Sequence, residues 1–262
     1  MSLSDEIIAK HEKFVKKVTE NNKDFIKRLT DYVISKMDKG TLQSGKYLAE
    51  LEIEIRKQLK DSGYIQALED FLKFGDEIKS QTLSVYNKPE LKSVFAKSER
   101  VAFYESIAND SLRGGGLNES VVKRIANQIR QGAFNNVNLD SVRAIVQGFE
   151  NILPKYVSQV SYDTHSQLHG ALQSEIKEKY NTKKGRYVGS LIESSRPFCN
   201  HLIGLKNPIT ETQLKIALNK YCPDGEPKEG IGNGMIKGTT IDNFSVNRGG
   251  YQCRHLWVWI LD

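Results

Sequence analysis

Between residues 4 and 37, Ile7, Ile8, Phe14, Val15, Val18, Phe25, Ile26, Leu29, Val33 and Met37 recur near the helical period, with lysines and glutamates between them. This predicts one long amphipathic helix, N-capped by Ser4 and stopped at Asp38-Lys39-Gly40. A second helix is expected over 43–60, with Tyr47, Leu48, Leu51, Ile55 and Leu59 on one face and Gly63 at its end. Leu68, Phe71, Leu72, Phe74 and Ile78 mark a third over 64–86, and Asn87-Lys88-Pro89 breaks the chain before a fourth over 90–112. Such stripes suit helices packing on each other, and equally helices docking on another protein.

Arg113-Gly114-Gly115-Gly116-Leu117-Asn118 reads as a hinge, because three glycines free the backbone and Asn118 can cap a helix starting at Glu119. A phosphate-cradling loop would need a preceding strand and a following Gly-Lys-Ser or Gly-Lys-Thr, and the chain has neither there. Val121, Val122, Ile125, Ile129 and Phe134 then mark one helix. Leu139, Val142, Ile145, Val146, Phe149 and Ile152 mark another that Pro154 interrupts, and 156–180 a third. Past residue 183 the texture changes: 186–193 and 256–260 read as strands, 210–221 as a short helix, and 223–238 as a loop rich in Gly, Pro and charge. The expectation is an α+β protein in two parts. Residues 1–113 form an elongated, mainly helical, partner-binding region. Residues 114–262 hold helices over 118–181 and a small α/β module over 183–262.

No run approaches the roughly 20 apolar residues that cross a bilayer, and the N-terminus lacks the basic-then-apolar order of a secretory signal. The chain is therefore expected to act in a cytoplasm or in something assembled there. A net charge of +6 permits a polyanionic partner without demanding one. Lys177, Lys179, Lys183, Lys184 and Arg186 are the candidate contacts to DNA backbone, although the same cations complement the C-terminal dipole of a helix.

Three cysteines cannot all pair, so reduced thiols or thiolate ligands are expected. Cys199 and His201, and Cys253 and His255, form two Cys-x-His pairs, with Cys222 between them. Together they offer a zinc site, since thiolate sulfur and imidazole nitrogen are its usual donors; in a regular strand the pleat would separate the two members of each pair, whereas a turn lets them converge. The same residues would serve a cysteine nucleophile with histidine as base, or simply pack as small apolar groups. His165 and His169 share one helical face, but Ser166 stands where a zinc protease carries glutamate, so polar packing is expected of them. Arg196 and Arg254 are expected to pair with Glu193, Asp242 or Asp262.

The segment Tyr187-Val188-Gly189, then Ser195-Arg196-Pro197-Phe198-Cys199, a variable loop, and a closing Gly249-Gly250-Tyr251-Gln252-Cys253-Arg254-His255 resembles the phage Mu F-like minor head proteins, the head morphogenesis family of tailed phages. Two positions depart from the commonest form of that family: Ser195 stands where many members carry Asp, and Cys253-Arg254-His255 replaces Cys-Arg-Cys. The resemblance covers the C-terminal half. It implies a minor structural protein of the virion head, without catalytic turnover, made in the host cytoplasm, associated with the portal and other head proteins, and in some members carried inside with the DNA. Alternatives from other classes are a Cys/His hydrolase delivered with the genome and a non-specific DNA-binding module.

Overall fold

The long stripes fold as helices because each buries its apolar face. The computed structural model describes residues 2–37, 45–134, 139–205 and 207–261. It is a mainly helical α+β protein. The stripes give α1 (Leu3–Met37), α2 (Gly45–Asp61) and α3 (Tyr64–Tyr86). The expected stop at Asp38-Lys39-Gly40 and start at Gln43 lie outside the described residues, as do the side chains of Met37, Tyr47, Leu48, Phe134, Leu139 and Val142. Ser2, not Ser4, caps α1: its hydroxyl accepts from the Asp5 N–H at 3.3 Å, while Ser4 is buried inside the first turn.

The expected fourth helix is two, α4 (Glu90–Lys97) and α5 (Glu99–Leu112). Ser98 turns extended between them and its hydroxyl accepts from the Val101 N–H at 3.0 Å, capping the second. The triglycine is no free hinge. It enters a helical turn, α6 (Gly115–Leu117), which continues through a π-helical segment (Asn118–Val122) into α7 (Lys123–Phe134). Asp110 Oδ1 accepts from the Gly115 N–H at 2.9 Å, so the capping expected of Asn118 is done from upstream. A Cβ on Gly116 would lie 2.9 Å from Ser111 Cα and 3.0 Å from Tyr156 Oη, so close packing, rather than freedom, is what this glycine supplies.

Next come α8 (Leu139–Gln147) and α9 (Ile152–Tyr180). Pro154 sits in the first turn of α9, where a missing N–H costs nothing, and so it opens that helix instead of interrupting one. The remaining elements are β1 (Lys184–Val188), α10 (Pro197–Gly204), β2 (Ile209–Thr210), α11 (Glu211–Tyr221, capped by a Thr210/Gln213 capping box), α12 (Phe244–Asn247) and β3 (Leu256–Ile260).

Two compact units result, and each draws on both parts of the chain that the sequence suggests. Position 113/114 lies inside one of them instead of between them. One unit takes His11–Leu72 and Ile107–Ser161. Its core runs through Phe14, Phe25, Leu29, Ile55, Leu68 and Ile125, with Phe14 stacked on Phe71 at 4.4 Å.

The other unit takes Met1–Lys10, Lys73–Ser106 and Tyr162–Asp262 and holds the antiparallel sheet, ordered β2-β1-β3. Its register pairs Gly185 with Trp259 and Tyr187 with Trp257. Alternation turns these four inward onto Phe198 and Phe244, and the second tryptophan edge is closed by Gln173 Oε1, which accepts from the Trp259 N–H at 2.9 Å.

Candidate metal centre

Three segments of this unit meet at Tyr187. Pro197 at the start of α10 fixes the first helical turn, and Cys199 follows on the buried side of that helix. Cys253 and His255 come from the irregular stretch between α12 and β3, where Gln252 takes a left-handed φ of 56°. Outside a strand the pleat no longer separates them, and Cys253 Sγ lies 3.6 Å from His255 Nδ1. Cys199 Sγ is 3.8 Å from Cys253 Sγ, and the donor atoms of Cys199, Cys253 and His255 all fall within 4.8 Å of one another. All three residues are buried.

The Tyr187 hydroxyl lies 3.1 Å from Cys253 Sγ and 3.5 Å from Cys199 Sγ, and its ring stacks on His255 at 5.0 Å. Gly249 closes the same side: a Cβ there would stand 2.5 Å from Cys199 Sγ, 2.8 Å from Tyr187 Oη and 3.0 Å from Cys253 Sγ. Arg248 anchors the loop from beneath. Its side chain, 1% exposed, donates to the carbonyls of Cys253 (2.9 Å) and Val246 (3.1 Å) and to Asp163 Oδ1 on α9 (2.9 Å). The Asp163 carboxylate also accepts the Gln252 N–H at 2.9 Å. Arg196 spans the two motif halves, donating to the carbonyls of Gly249 (3.2 Å) and Tyr251 (2.5 Å).

The two sulfurs share a proton unequally. The hydrogen bond from Cys199, the largest cause, holds the Cys253 thiol well below its usual range against the opposing effect of burial, helped by His255, Arg248 and Tyr187. That same bond, then burial, pushes Cys199 up. Burial and the neighbouring sulfurs keep the Tyr187 hydroxyl protonated. The site thus already favours one thiolate. Two sulfurs and an imidazole nitrogen are a donor set that suits zinc, and His255 Nε2 is buried with no hydrogen-bond partner, which a ring turned toward an ion would relieve. The residues present fit a metal ion.

His201 does not join them. It lies two residues beyond Cys199 on a helix, roughly 200° around the axis, and its half-buried ring packs against Tyr221 at 5.5 Å. Cys222 is buried at the end of α11, outside the group, and burial raises its thiol pKa. His165 and His169 are buried in α9, His165 edge-on to Phe74 at 5.1 Å and His169 Nε2 3.4 Å from Gln173 Nε2. Arg196 pairs with carbonyls in place of the expected acids, and Arg254 bonds Tyr162; Asp262 lies outside the described residues.

Of the basic run, Lys177 is tied to Asp242 at 3.3 Å and lies over the Trp259 ring, and Lys183 pairs with Glu211 at 3.2 Å. Lys179, Lys184 and Arg186 are exposed, the latter two on the same face of β1. The sequence reading missed Tyr187, Arg248 and Asp163 as parts of the centre. Arg248 stands directly before the Gly-Gly pair, which is the one signal that could have drawn attention to it.

No helix among the described residues is long and apolar enough to cross a membrane. Compared with protein-family models, curated proteins and solved structures, the chain matches none.

Proposed function

We propose that this chain is a minor structural protein of a tailed-phage head, of the Mu F-like kind, in which zinc held by Cys199, Cys253 and His255 locks the C-terminal fold. The observation that carries the reading is the meeting of the two motif halves: Arg196 bonds the Gly249 and Tyr251 carbonyls, and Cys199 lies against Cys253. Residues more than fifty positions apart in sequence, all belonging to the motif, meet here, with Cys199, Gly249 and Cys253 buried. The reading rests on motif order and this geometry.

Zinc suits a structural part in such a protein, because ligands brought together only in the folded state let the metal contribute roughly 10 to 16 kcal/mol of apparent binding energy to a small domain. Partners are the portal and neighbouring head proteins, with packaged DNA as a non-specific one through Lys179 and Arg186.

The test has two arms. Protein purified without a histidine tag is analysed for metal; about one zinc per chain is expected, and zinc absent from folded protein removes that half of the proposal. Virions from the phage that carries this sequence are banded and analysed by mass spectrometry. The chain is expected in DNA-filled heads at few copies, and its absence from them overturns the head assignment.

A further inference from the structure

All three donors line a single pocket of about 290 Å³, together with Ser195, Arg196, Gln252 and Arg254. Tyr187 and Gly249 pack against the same sulfurs and are not part of that lining. An ion seated among Cys199, Cys253 and His255 therefore has protein on one side and the pocket on the other. Zinc takes four ligands, and among the described residues this group offers three. His201 is turned against Tyr221, and the Asp163 carboxylate is committed to Arg248 and the Gln252 N–H. The remaining coordination position has to be filled from the pocket.

Charge selects what fills it. Two thiolates and a neutral imidazole balance a divalent ion, so the ion itself brings little net charge to the pocket. Arg196 adds a cation: its hydrogen-bond acceptors among the described residues are neutral carbonyls, and a guanidinium has more N–H donors than these use. Arg254 contributes a second guanidinium to the lining. The volume is many times the roughly 10 to 15 Å³ of such space that one water molecule needs, enough for a small anion but not for a folded partner.

Resting on the zinc reading above, we infer that the metal carries an exchangeable fourth ligand, an anionic oxygen donor of the carboxylate or phosphate class, held in this pocket beside Arg196 and Arg254.

Cobalt(II) is the probe, since its visible spectrum reports ligand exchange directly. Full-length protein is reduced, loaded with cobalt and titrated in separate arms with sodium acetate and sodium phosphate, with ionic strength held by perchlorate. A saturable change in the visible bands is expected in at least one arm, and the arm that responds identifies the donor. Arg196→Gln and Arg254→Gln are each expected to weaken that response about tenfold, the loss of one charge-assisted hydrogen bond. Should Arg196→Gln fail to fold by circular dichroism, Arg254→Gln carries the comparison.

X-ray absorption of the zinc form is expected to count two sulfurs, one imidazole nitrogen and one further light atom. Bands that neither anion moves, or a shell of two sulfurs and two imidazoles, would overturn the inference while leaving the metal site standing. A chain that takes up neither cobalt nor zinc fails at the earlier step instead.

Discussion

Gly249 and Cys199 approach so closely that a methyl group on the glycine would stand 2.5 Å from the cysteine sulfur. The motif glycine is there because the sulfurs leave it no room. Gly249→Ala is expected to destabilise the protein by roughly 1 to 3 kcal/mol, the usual cost of overpacking, and to lower zinc content with it. Gly204, whose Cβ would meet nothing within 4 Å, gives the control: Gly204→Ala is expected to leave both unchanged or improved. Denaturant melts with metal analysis on the two variants check this.

Arg248 and Asp163 form an ion pair shut away from water. Removing one partner from such a pair strands the other, at a cost of about 3 to 5 kcal/mol. Asp163→Asn keeps an acceptor for the Gln252 N–H but no charge for Arg248, and so isolates that penalty. Equilibrium unfolding in urea is the measurement, and a loss below about 1 kcal/mol would mean the pair behaves as an exposed one.

His169 sets an acid limit. Burial, then the nearby Arg248 cation, pushes its pKa down to about 3 from an ordinary 6.5. The folded state therefore binds this proton less readily than the unfolded one, so the contribution is complete above pH 6.5 and is lost as pH falls from there toward about 3. The slope in that window is about 1.4 kcal/mol per pH unit from this group. His169→Gln is expected to flatten the fall of stability with acidification, as followed by melts across that range.

Thiol chemistry separates the structural protein from the hydrolase. Iodoacetamide is expected to label Cys253 in metal-free protein, because its thiolate is favoured, and to label neither Cys199 nor Cys253 once zinc is bound. A nucleophile at a site that takes no metal would be labelled whether or not zinc is added. Cys222, buried with a raised pKa, stays unlabelled throughout.

What could be read from the sequence was what repeats along it. The stripes of α1 to α3 and the alternating tryptophans of β3 declare themselves, because the period that puts apolar side chains on one face is set within a single helix or strand. The elements that depend on distant partners did not. α10 and α12 are each eight residues or fewer, too short for a period, and their aromatics, Phe198 and Phe244, meet each other across the fold at 5.9 Å. Cys199, Cys253 and His255 were visible as a donor set from residue type, whereas excluding His201 needed the helix that turns it away. The Arg248–Asp163 pair joins residues 85 positions apart and carried no local sign.

The central strand of the sheet has a timing consequence. β1 is made well before β3, its longer partner, and the Cys253–His255 half of the donor set comes off the ribosome just ahead of that strand. Until β3 is made, the β1 edge it pairs with stays open and Tyr187 lacks its Trp257 partner, and unpaired strand edges with exposed apolar surface promote aggregation. A truncation before Cys253 loses the strand and two of the three ligands together, so metal cannot rescue it.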